Sequence, residues 1–322
     1  MNYRTIPGTE LTPSVICYGS VFFGTSIPEE ETFRLLDAYI ERGGTFIDTA
    51  KVYADWMPGE KSASEKTIGR WLKSRGNRKE IILATKGAHP ELGRMNEPRM
   101  SRECIEHDVD SSLRHLQTDC IDLYYLHRDD PATPAGEIIE SLNEQIRAGK
   151  VRYIGCSNWT AARIEEANRY ASERGLQGFS ANQPMWSLAD PNEDILNDKT
   201  MVVMHEDSEA FHNRTGMAVV PYTSQAFGFF SGLYRRDNMP DKLKLFVNEE
   251  NLRRLERVER TAARLGLSMT ETALGYLLSQ PFPVFPIIGS RTLEQLDESM
   301  KAGDVTLDSE TVRYLRYGDG ES

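Results

Sequence analysis

The chain lacks the short motifs that mark the commonest cofactor and metal sites. No Gly-x-Gly-x-x-Gly follows the first predicted strand, and P-loop, Cys-x-x-Cys and His-Glu-x-x-His motifs are absent. These absences argue against a Rossmann-type nucleotide site and a zinc site. Several histidines have no spacing that converges on a metal ion, so we expect surface or helix-packing roles for His89, His107, His115, His205 and His212.

Long apolar runs are also missing, and cysteine is scarce. No stretch approaches the length of a membrane span, and residues 1–5 carry no apolar signal-peptide core. The sequence contains 4 scattered cysteines, of which three fall in or beside predicted core elements: Cys17, Cys104, Cys120 and Cys156. Such cysteines are typical of reduced thiols. We therefore expect a cytoplasmic protein with no membrane segment and no disulfide.

Positive charge is in deficit. The 38 Lys and Arg residues are outnumbered by 49 Asp and Glu residues, which gives a formal net charge of −11. A negative surface repels nucleic acid and anionic membranes, so neither is an expected partner. A phosphate-bearing cofactor would need a local cationic site that acts against the overall field.

What the sequence does contain is a regular alternation of strands and helices. Strands are predicted at residues 15–18, 45–48, 81–86, 121–127, 151–157, 178–183, 218–222 and 284–288. Helices are predicted at residues 28–42, 64–74, 101–116, 134–148, 160–174, 249–265, 270–279 and 293–300. This order predicts an α/β fold of the (β/α)8 TIM-barrel type, because the alternative, a doubly wound open sheet, usually stops at five or six strands.

Three further features complete the predicted architecture. A β-hairpin is expected at the N-terminus, pairing residues 3–5 with residues 11–13. Two long polar segments, residues 189–209 and 225–248, follow the sixth and seventh strands, where barrel enzymes place loops over the active site. No linker interrupts the chain, so residues 1–322 are predicted to form a single domain.

Ionisable residues occupy the carboxyl ends of three predicted strands. Asp48, Lys86 and His127 each end an apolar run, and Tyr53 lies one short loop after Asp48. Such residues are poorly placed for core packing and well placed to line a site at the carboxyl edge of a parallel sheet. These four residues therefore predict an active site.

Together these residues could provide a proton donor and a second hydrogen-bond donor to the oxygen of a carbonyl substrate. A phenol with a pKa near 10 donates poorly unless its pKa is lowered, and we expect the Lys86 ammonium to lower the pKa of Tyr53. Asp48 would hold Lys86 charged and in place. A neutral His127 could donate one N–H to a carbonyl oxygen. None of the four can supply a hydride, so a cofactor must do so.

The motifs that surround these residues resemble the aldo-keto reductase superfamily over nearly the whole chain. They lie at residues 44–53, 84–86, 119–127, 149–158, 182–184 and 288–291. Their joint order and spacing are specific, and the resemblance is to bacterial-type NADP-dependent members. The family's catalytic tetrad falls on Tyr53, Lys86, Asp48 and His127.

The resemblance implies a nicotinamide cofactor, NADP(H) in most members, bound without a Rossmann domain. It assigns the carboxamide to Ser157, Asn158 and Gln183, and a stacking ring to Tyr222. The cofactor-binding residues implied in full are Gly19, Ser20, Asp48, Ser157, Asn158, Gln183, Tyr222, Thr223, Gln225, Gly289, Ser290, Arg291 and Gln295.

The adenosine 2′-phosphate is assigned by the same resemblance to Ser290, Arg291 and Gln295. These residues lie where the last predicted helix starts, and backbone N–H groups with a guanidinium favour a phosphate there. The chain departs from the family at two points. Residues 222–226 read Tyr-Thr-Ser-Gln-Ala where Tyr-Ser-Pro-Leu-Gly is usual, and Ser299 replaces the usual Asn.

The expected function is NADPH-dependent reduction of an aldehyde, ketone or keto-sugar to an alcohol, with Tyr53 as the proton donor. Aromatic residues in loops at the predicted carboxyl end are expected to line the substrate pocket together with His127, namely Phe22, Phe23, Trp56 and Trp186. Alternatives are a regulatory barrel similar to channel β-subunits, a steroid-type C=C reductase, and a sugar-alcohol dehydrogenase working oxidatively. His127 argues against the first two, since those relatives carry other residues there. A monomer and a homo-oligomer are both open.

Overall fold

The structure is a computed structural model in which residues 1–318 are described. Its parallel strands are β1 (Cys17–Gly19), β2 (Phe46–Asp48), β3 (Ile82–Gly87), β4 (Ile121–Leu126), β5 (Val151–Ser157), β6 (Ala181–Gln183), β7 (Ala218–Val219) and β8 (Ile287–Ile288). They form one 8-stranded sheet in the order β7-β6-β5-β4-β3-β2-β1-β8. A parallel bridge between Val219 and Val284 then joins the two edges. The predicted (β/α)8 barrel is confirmed.

Helices separate the strands and pack around the sheet. They are α1 (Glu29–Glu41), α2 (Ala63–Arg75), α3 (Arg102–Leu116), α4 (Ala135–Arg147), α5 (Ala161–Glu173), α6 (Glu206–Thr215), α7 (Glu249–Leu265), α8 (Met269–Leu278), α9 (Leu293–Lys301) and α10 (Ser309–Tyr317). The starts of several are fixed by capping side chains, such as Ser101, Thr160 and Ser268. The sequence pattern does not predict α6 or α10.

The N-terminal hairpin is present as an antiparallel bridge between Tyr3 and Ser14. The Ile6 N–H donates to the carbonyl oxygen of Leu11 across 2.9 Å. Ile6 and Leu11 are buried in the apolar cluster that also contains Cys17 and Phe46 of the strands. The hairpin therefore closes the amino end of the barrel with apolar side chains.

Backbone strain is concentrated at the other end, where the strands finish. Among residues 1–318, eight non-glycine residues have a positive φ, and all except Gln117 lie in loops that follow a strand: Ala54, Ser62, Ala88, Asn158, Thr223, Ala226 and Phe227. Gln117 follows α3 as its C-cap residue. Residues with a Cβ are uncommon in this region, and each costs energy to hold there.

The cysteines and the helices bear on the expected absence of disulfides and membrane segments. All four cysteines are free thiols, with Cys17 and Cys156 buried. Within residues 1–318, no helix combines the length and the apolar character that crossing a membrane requires.

Candidate active site

The barrel brings the four predicted catalytic residues to one place. Asp48 is the last residue of β2, Lys86 is next to last in β3, and His127 directly follows β4. These strands are neighbours in the sheet, with Asp48 paired to Ala84. Tyr53 enters from the loop after β2. The carboxyl ends of β2, β3 and β4 therefore form one wall of the site.

Lys86 is the centre of the hydrogen-bond network. Its Nζ donates to Asp48 Oδ2 at 2.6 Å, to the Thr49 carbonyl oxygen at 2.8 Å and to the Tyr53 hydroxyl at 2.8 Å. An ammonium has three N–H donors, so all of them are used. Asp48 Oδ1 accepts from Gln183 Nε2 at 2.9 Å. Both Lys86 and Asp48 are only 1% exposed.

Burial decides the protonation of Tyr53. Burial raises the pKa of the Tyr53 hydroxyl above its ordinary value of 10, while the Lys86 ammonium acts in the opposite direction. The expectation that Lys86 gives the phenol a lowered pKa is therefore wrong in its net sign, because desolvation is the larger effect. Burial alone would lower the pKa of Lys86, but the Asp48 carboxylate and Tyr53 hold it above the ordinary value. At neutral pH both groups carry their protons.

His127 is neutral and faces Tyr53. Burial is the main cause that keeps the pKa of His127 well below its ordinary value, and the nearby His89 and Arg128 add to it. The His127 and Tyr53 ring centroids are 5.7 Å apart. Nδ1 of His127 is buried without a hydrogen-bond partner. A proton there would be an unsatisfied donor, so the neutral ring is better protonated on Nε2.

A second histidine belongs to this site, although sequence reasoning missed it. The His89 ring lies 4.8 Å from the His127 ring in an edge-to-face arrangement. The expectation of a surface or helix-packing role for His89 is wrong. Its position just after β3 is the same signal that identifies Lys86, and it could have been used.

The other histidines have structural contacts. His212 is buried between Asn182 and the Met217 carbonyl oxygen, and His115 pairs with Glu65. No group of His, Cys, Asp or Glu side chains within residues 1–318 is arranged to hold a metal ion.

The residues assigned to a nicotinamide carboxamide lie together at the ends of β5, β6 and β7. Ser157 Oγ donates to the Gln183 carbonyl oxygen at 2.8 Å, and Asn158 Nδ2 donates to Ser157 Oγ at 3.1 Å. The Tyr222 hydroxyl donates to Asn158 Oδ1 at 2.7 Å. Gln183 reaches Asp48, so this group is continuous with the tetrad.

The long segment after β6 covers these residues. The Val202 N–H donates to Asn158 Oδ1 at 3.0 Å. Arg128, which is buried directly after His127, donates to Thr200 Oγ1 at 2.8 Å and to Asp198 Oδ2 at 2.8 Å. The Asp198 to Val202 stretch is thereby held against the carboxyl ends of the strands.

The residues assigned to the phosphates lie around the start of α9. Arg291 is exposed, and its guanidinium carbon stands 4.2 Å above the Phe22 ring. Its backbone N–H donates to Gln295 Oε1 at 2.9 Å. Ser290 Oγ is buried without a partner. A Cβ added to Gly289 would meet nothing within 4 Å, so space is open there.

The remaining residues assigned to the cofactor lie between the catalytic tetrad and the start of α9. Gly19 pairs with Asp48 in the sheet, and Ser20 Oγ donates to the Asp48 carbonyl oxygen at 2.8 Å. Thr223 has a φ of 57° in the loop after β7. Gln225 Nε2 donates to Ser299 Oγ at 3.0 Å, which ties that loop to α9.

The predicted substrate-pocket aromatics are not brought together. Trp186 is 3% exposed and stacks on Phe282 in the outer core, with 5.9 Å between the ring centroids. Phe23 is 1% exposed and packs edge-to-face on Tyr18. Phe22 lies under Arg291, and Trp56 is exposed on the loop after β2. The structure therefore does not place Trp186 and Phe23 in a pocket, because their side chains turn into the core.

The chain is similar to proteins of one known family. Residues 15–317 match the model of the aldo/keto reductase family. An uncharacterized oxidoreductase, YrpG of Bacillus subtilis, is 32% identical over 98% of this chain and 95% of its own length. A norsolorinic acid reductase B of Dothistroma septosporum is 32% identical over 98% of this chain and 81% of its own.

Two further comparisons concern an activity and a fold. An aryl-alcohol dehydrogenase of Pestalotiopsis microspora is 30% identical over 97% of this chain and 80% of its own. The crystal structure of a thermostable aldo-keto reductase, solved with the inhibitor epalrestat, superposes with a TM-score of 0.74 over 98% of this chain and 99% of that one, at 22% identity. That last likeness concerns the fold alone.

Proposed function

Because the chain belongs to the aldo/keto reductase family of oxidoreductases, we propose that it reduces a carbonyl group to an alcohol with NADPH, and that Tyr53 donates the proton. The observation that carries this proposal is the chain of short contacts from Asp48 through Lys86 to the Tyr53 hydroxyl, beside a neutral His127. That arrangement holds one proton at a defined oxygen.

The protein's own groups have distinct parts in this reaction. Tyr53 keeps its proton at neutral pH and gives it to the oxygen of the reacting carbonyl. The Lys86 ammonium stabilises the phenolate that remains, and Asp48 keeps that ammonium in position. His127 donates from Nε2 to the same carbonyl oxygen. The nicotinamide supplies the hydride when it is bound.

Several features support a phosphate-bearing nicotinamide cofactor. The unpartnered, buried Ser290 Oγ beside Arg291 is a polar atom that a phosphate oxygen would satisfy. The start of α9 adds backbone N–H groups that attract an anion. Ser157, Asn158 and Gln183 would hold the carboxamide, with Tyr222 beside the ring. The space in front of Gly289 suits a close approach of the cofactor.

The names of two relatives suggest where to look for substrates. An aryl-alcohol dehydrogenase and a norsolorinic acid reductase are both about as similar to this chain as the bacterial oxidoreductase. Aryl aldehydes, the oxidation products of primary aryl alcohols, and norsolorinic acid therefore belong in a first substrate panel, together with keto-sugars. The dehydrogenase also justifies assaying the oxidative direction with NADP⁺.

The experiment that tests the proposal combines turnover with cofactor binding. Wild type should oxidise NADPH in the presence of an aldehyde, and it should bind NADPH more tightly than NADH. The Arg291→Ala variant should weaken NADPH binding by about ten- to a hundred-fold, since a charge-assisted contact is worth roughly 1.5–3 kcal/mol. Binding of NADH should hardly change. Both dissociation constants can be measured by fluorescence titration.

A matched control removes the same charge elsewhere. Arg174, half-exposed at the end of α5, lies on the opposite face of the barrel, so Arg174→Ala should leave both constants unchanged. Equal losses for the two cofactors in Arg291→Ala would mean that Arg291 supports the loop and does not read the phosphate. A wild type that prefers NADH would rule out the NADP assignment.

A further inference from the structure

The backbone that leads into His89 is strained and is held in place by buried contacts. The residue before it, Ala88, is fully buried with a φ of 57°, and its N–H donates to Asp108 Oδ2 at 2.9 Å. A strained backbone kept in place by surrounding contacts is typical of functional sites. The left-handed backbone conformation of Ala88 sets the direction in which the chain leaves β3, and it thereby positions His89.

Asp108 is the anchor of this turn. Arg99 donates to Asp108 Oδ2 at 2.7 Å and to Oδ1 at 3.0 Å, and Lys51 Nζ lies 3.0 Å from Oδ1. Arg99 also donates to the His89 carbonyl oxygen at 3.3 Å. The buried Asp108 therefore ties the backbone on both sides of Ala88 to α3. The result is an imidazole with a fixed position against His127, 4.8 Å between ring centroids.

The hydrogen bonds of the His89 ring define what it can offer. Nδ1 lies 2.6 Å from the Pro90 carbonyl oxygen, which can only accept, so Nδ1 carries the proton. Burial is the main cause that lowers the pKa of His89 to about 4, and the charges of Arg128 and Arg99 lower it further. The Asp198 carboxylate acts in the opposite direction. The ring is neutral at neutral pH. Its Nε2 is a hydrogen-bond acceptor with no protein partner within residues 1–318.

We propose that His89 is a substrate-binding residue whose Nε2 accepts a hydrogen bond from a hydroxyl group next to the reacting carbonyl. The substrates would then be hydroxy-aldehydes or hydroxy-ketones. This inference rests on the proposed carbonyl reduction. Tyr53 and His127 present two donors to the carbonyl oxygen, and His89 presents an acceptor beside them. A carbonyl with a neighbouring hydroxyl has the complementary pattern, whereas a plain aldehyde leaves the acceptor unused.

Two three-carbon aldehydes test this assignment. Glyceraldehyde has hydroxyl groups next to its carbonyl, and propanal has none. Wild type should prefer glyceraldehyde in kcat/KM, and His89→Phe should lower that preference about tenfold, which corresponds to the loss of one neutral hydrogen bond. His89→Gln, which returns an amide oxygen as acceptor, should restore most of it. His115→Phe, which replaces a histidine of α3 that pairs with Glu65 and does not contact His127, is the matched control and should leave the preference unchanged.

A binding measurement keeps the proposal testable if His89→Phe does not fold. In wild type with NADP⁺, the ¹⁵N resonance of His89 Nε2 should shift when glycerol is added and should not shift with 1-propanol. An equal response to both alcohols, or to neither, would overturn the role of His89. The same holds if the preference is identical in wild type and His89→Phe. No turnover of either aldehyde with NADPH or NADH would instead remove the reductase proposal itself.

Discussion

The two ends of the barrel differ in where the backbone is strained. At the carboxyl end, the loops after the strands place residues such as Ala88, Asn158 and Phe227 in the left-handed region. At the amino end, helices close on glycines such as Gly76 and Gly266, which adopt that region without cost. Gln117 is the exception among the described residues at the amino end, so the concentration of strain at the carboxyl end indicates that this end was shaped for a task other than stability.

The same contrast holds for what is buried. The amino end is filled by the apolar hairpin residues Ile6 and Leu11. The carboxyl end buries an ion pair, Lys86 with Asp48, at 1% exposure each. A buried ion pair is weak in its net contribution to stability, because the loss of hydration offsets the attraction. The comparison therefore predicts that similar substitutions will have large effects at the carboxyl end and small effects at the amino end.

Removing one hydroxyl should give the largest difference. Tyr53→Phe should lower carbonyl reduction by roughly 10²–10⁴-fold, because the proton donor is lost. Folding and NADPH binding should persist. The control, Tyr153→Phe, removes a hydroxyl that accepts from the Glu10 N–H at the amino end and should keep full activity. Steady-state kinetics and thermal unfolding would check both, and a near-normal rate in Tyr53→Phe would refute the assignment.

Breaking the ion pair should change both stability and pH dependence. Lys86→Met leaves Asp48 buried without its cation, which should cost about 3–5 kcal/mol of unfolding free energy. Lys86 lowers the pKa of Tyr53, so its removal should raise that pKa further. Alcohol oxidation, which needs the phenolate, should then require a higher pH, and the loss of reduction at high pH should also move upward.

Lys150→Met is the matching change at the amino end. Lys150 Nζ lies 2.7 Å from Asp110 and is 26% exposed, so water screens the pair. Unfolding free energy should change by less than about 1 kcal/mol, with no shift of the pH profile. If Lys86→Met kept activity with an unchanged profile, Lys86 would be a structural residue only.

Glycine substitutions at strained backbone positions should give the smallest effects. They should affect stability at the amino end and cofactor binding at the carboxyl end. Gln117→Gly, at an exposed cap, should raise the unfolding free energy by about 0.5–1 kcal/mol, or roughly 1–3 °C in Tm, with activity unchanged. Phe227→Gly relieves similar strain in the loop after β7. There, however, glycine adds conformational freedom that cofactor binding must remove, so KM for NADPH should rise by about two- to fivefold. If both variants had the same KM for NADPH as wild type, the strain at Phe227 would have no role in cofactor binding.

Sequence reasoning predicted the parts of the molecule that depend on strong local patterns. The strand ends that carry Asp48, Lys86 and His127 were accessible because a charged residue after an apolar run is conspicuous. The helix α6 was not among the predicted helices, since its acidic first turn, Glu206 to Glu209, ends the long polar segment 189–209. It is a helix because Phe211 and His212 pack inward, a tertiary effect.

Side-chain direction after a strand could not be predicted. Trp186 and Trp56 both follow strands, yet Trp186 stacks on Phe282 in the core while Trp56 is 48% exposed. The turn taken by the backbone decides this, and short sequence patterns do not specify it. The same limit explains His89, whose approach to His127 depends on the left-handed Ala88 and its bond to Asp108.

The Lys86 ammonium, whose three N–H groups are all hydrogen-bonded, is protected from reaction with aldehydes. An amine in a pocket that admits aldehydes can condense with them to an imine, but only through the lone pair of its neutral form. Lys86 keeps its proton because its pKa lies above the ordinary value, and its three N–H bonds point at Asp48, the Thr49 carbonyl oxygen and Tyr53. No lone pair remains to attack a carbonyl carbon. The contacts that prepare Tyr53 for proton transfer thus also make this lysine inert toward aldehydes.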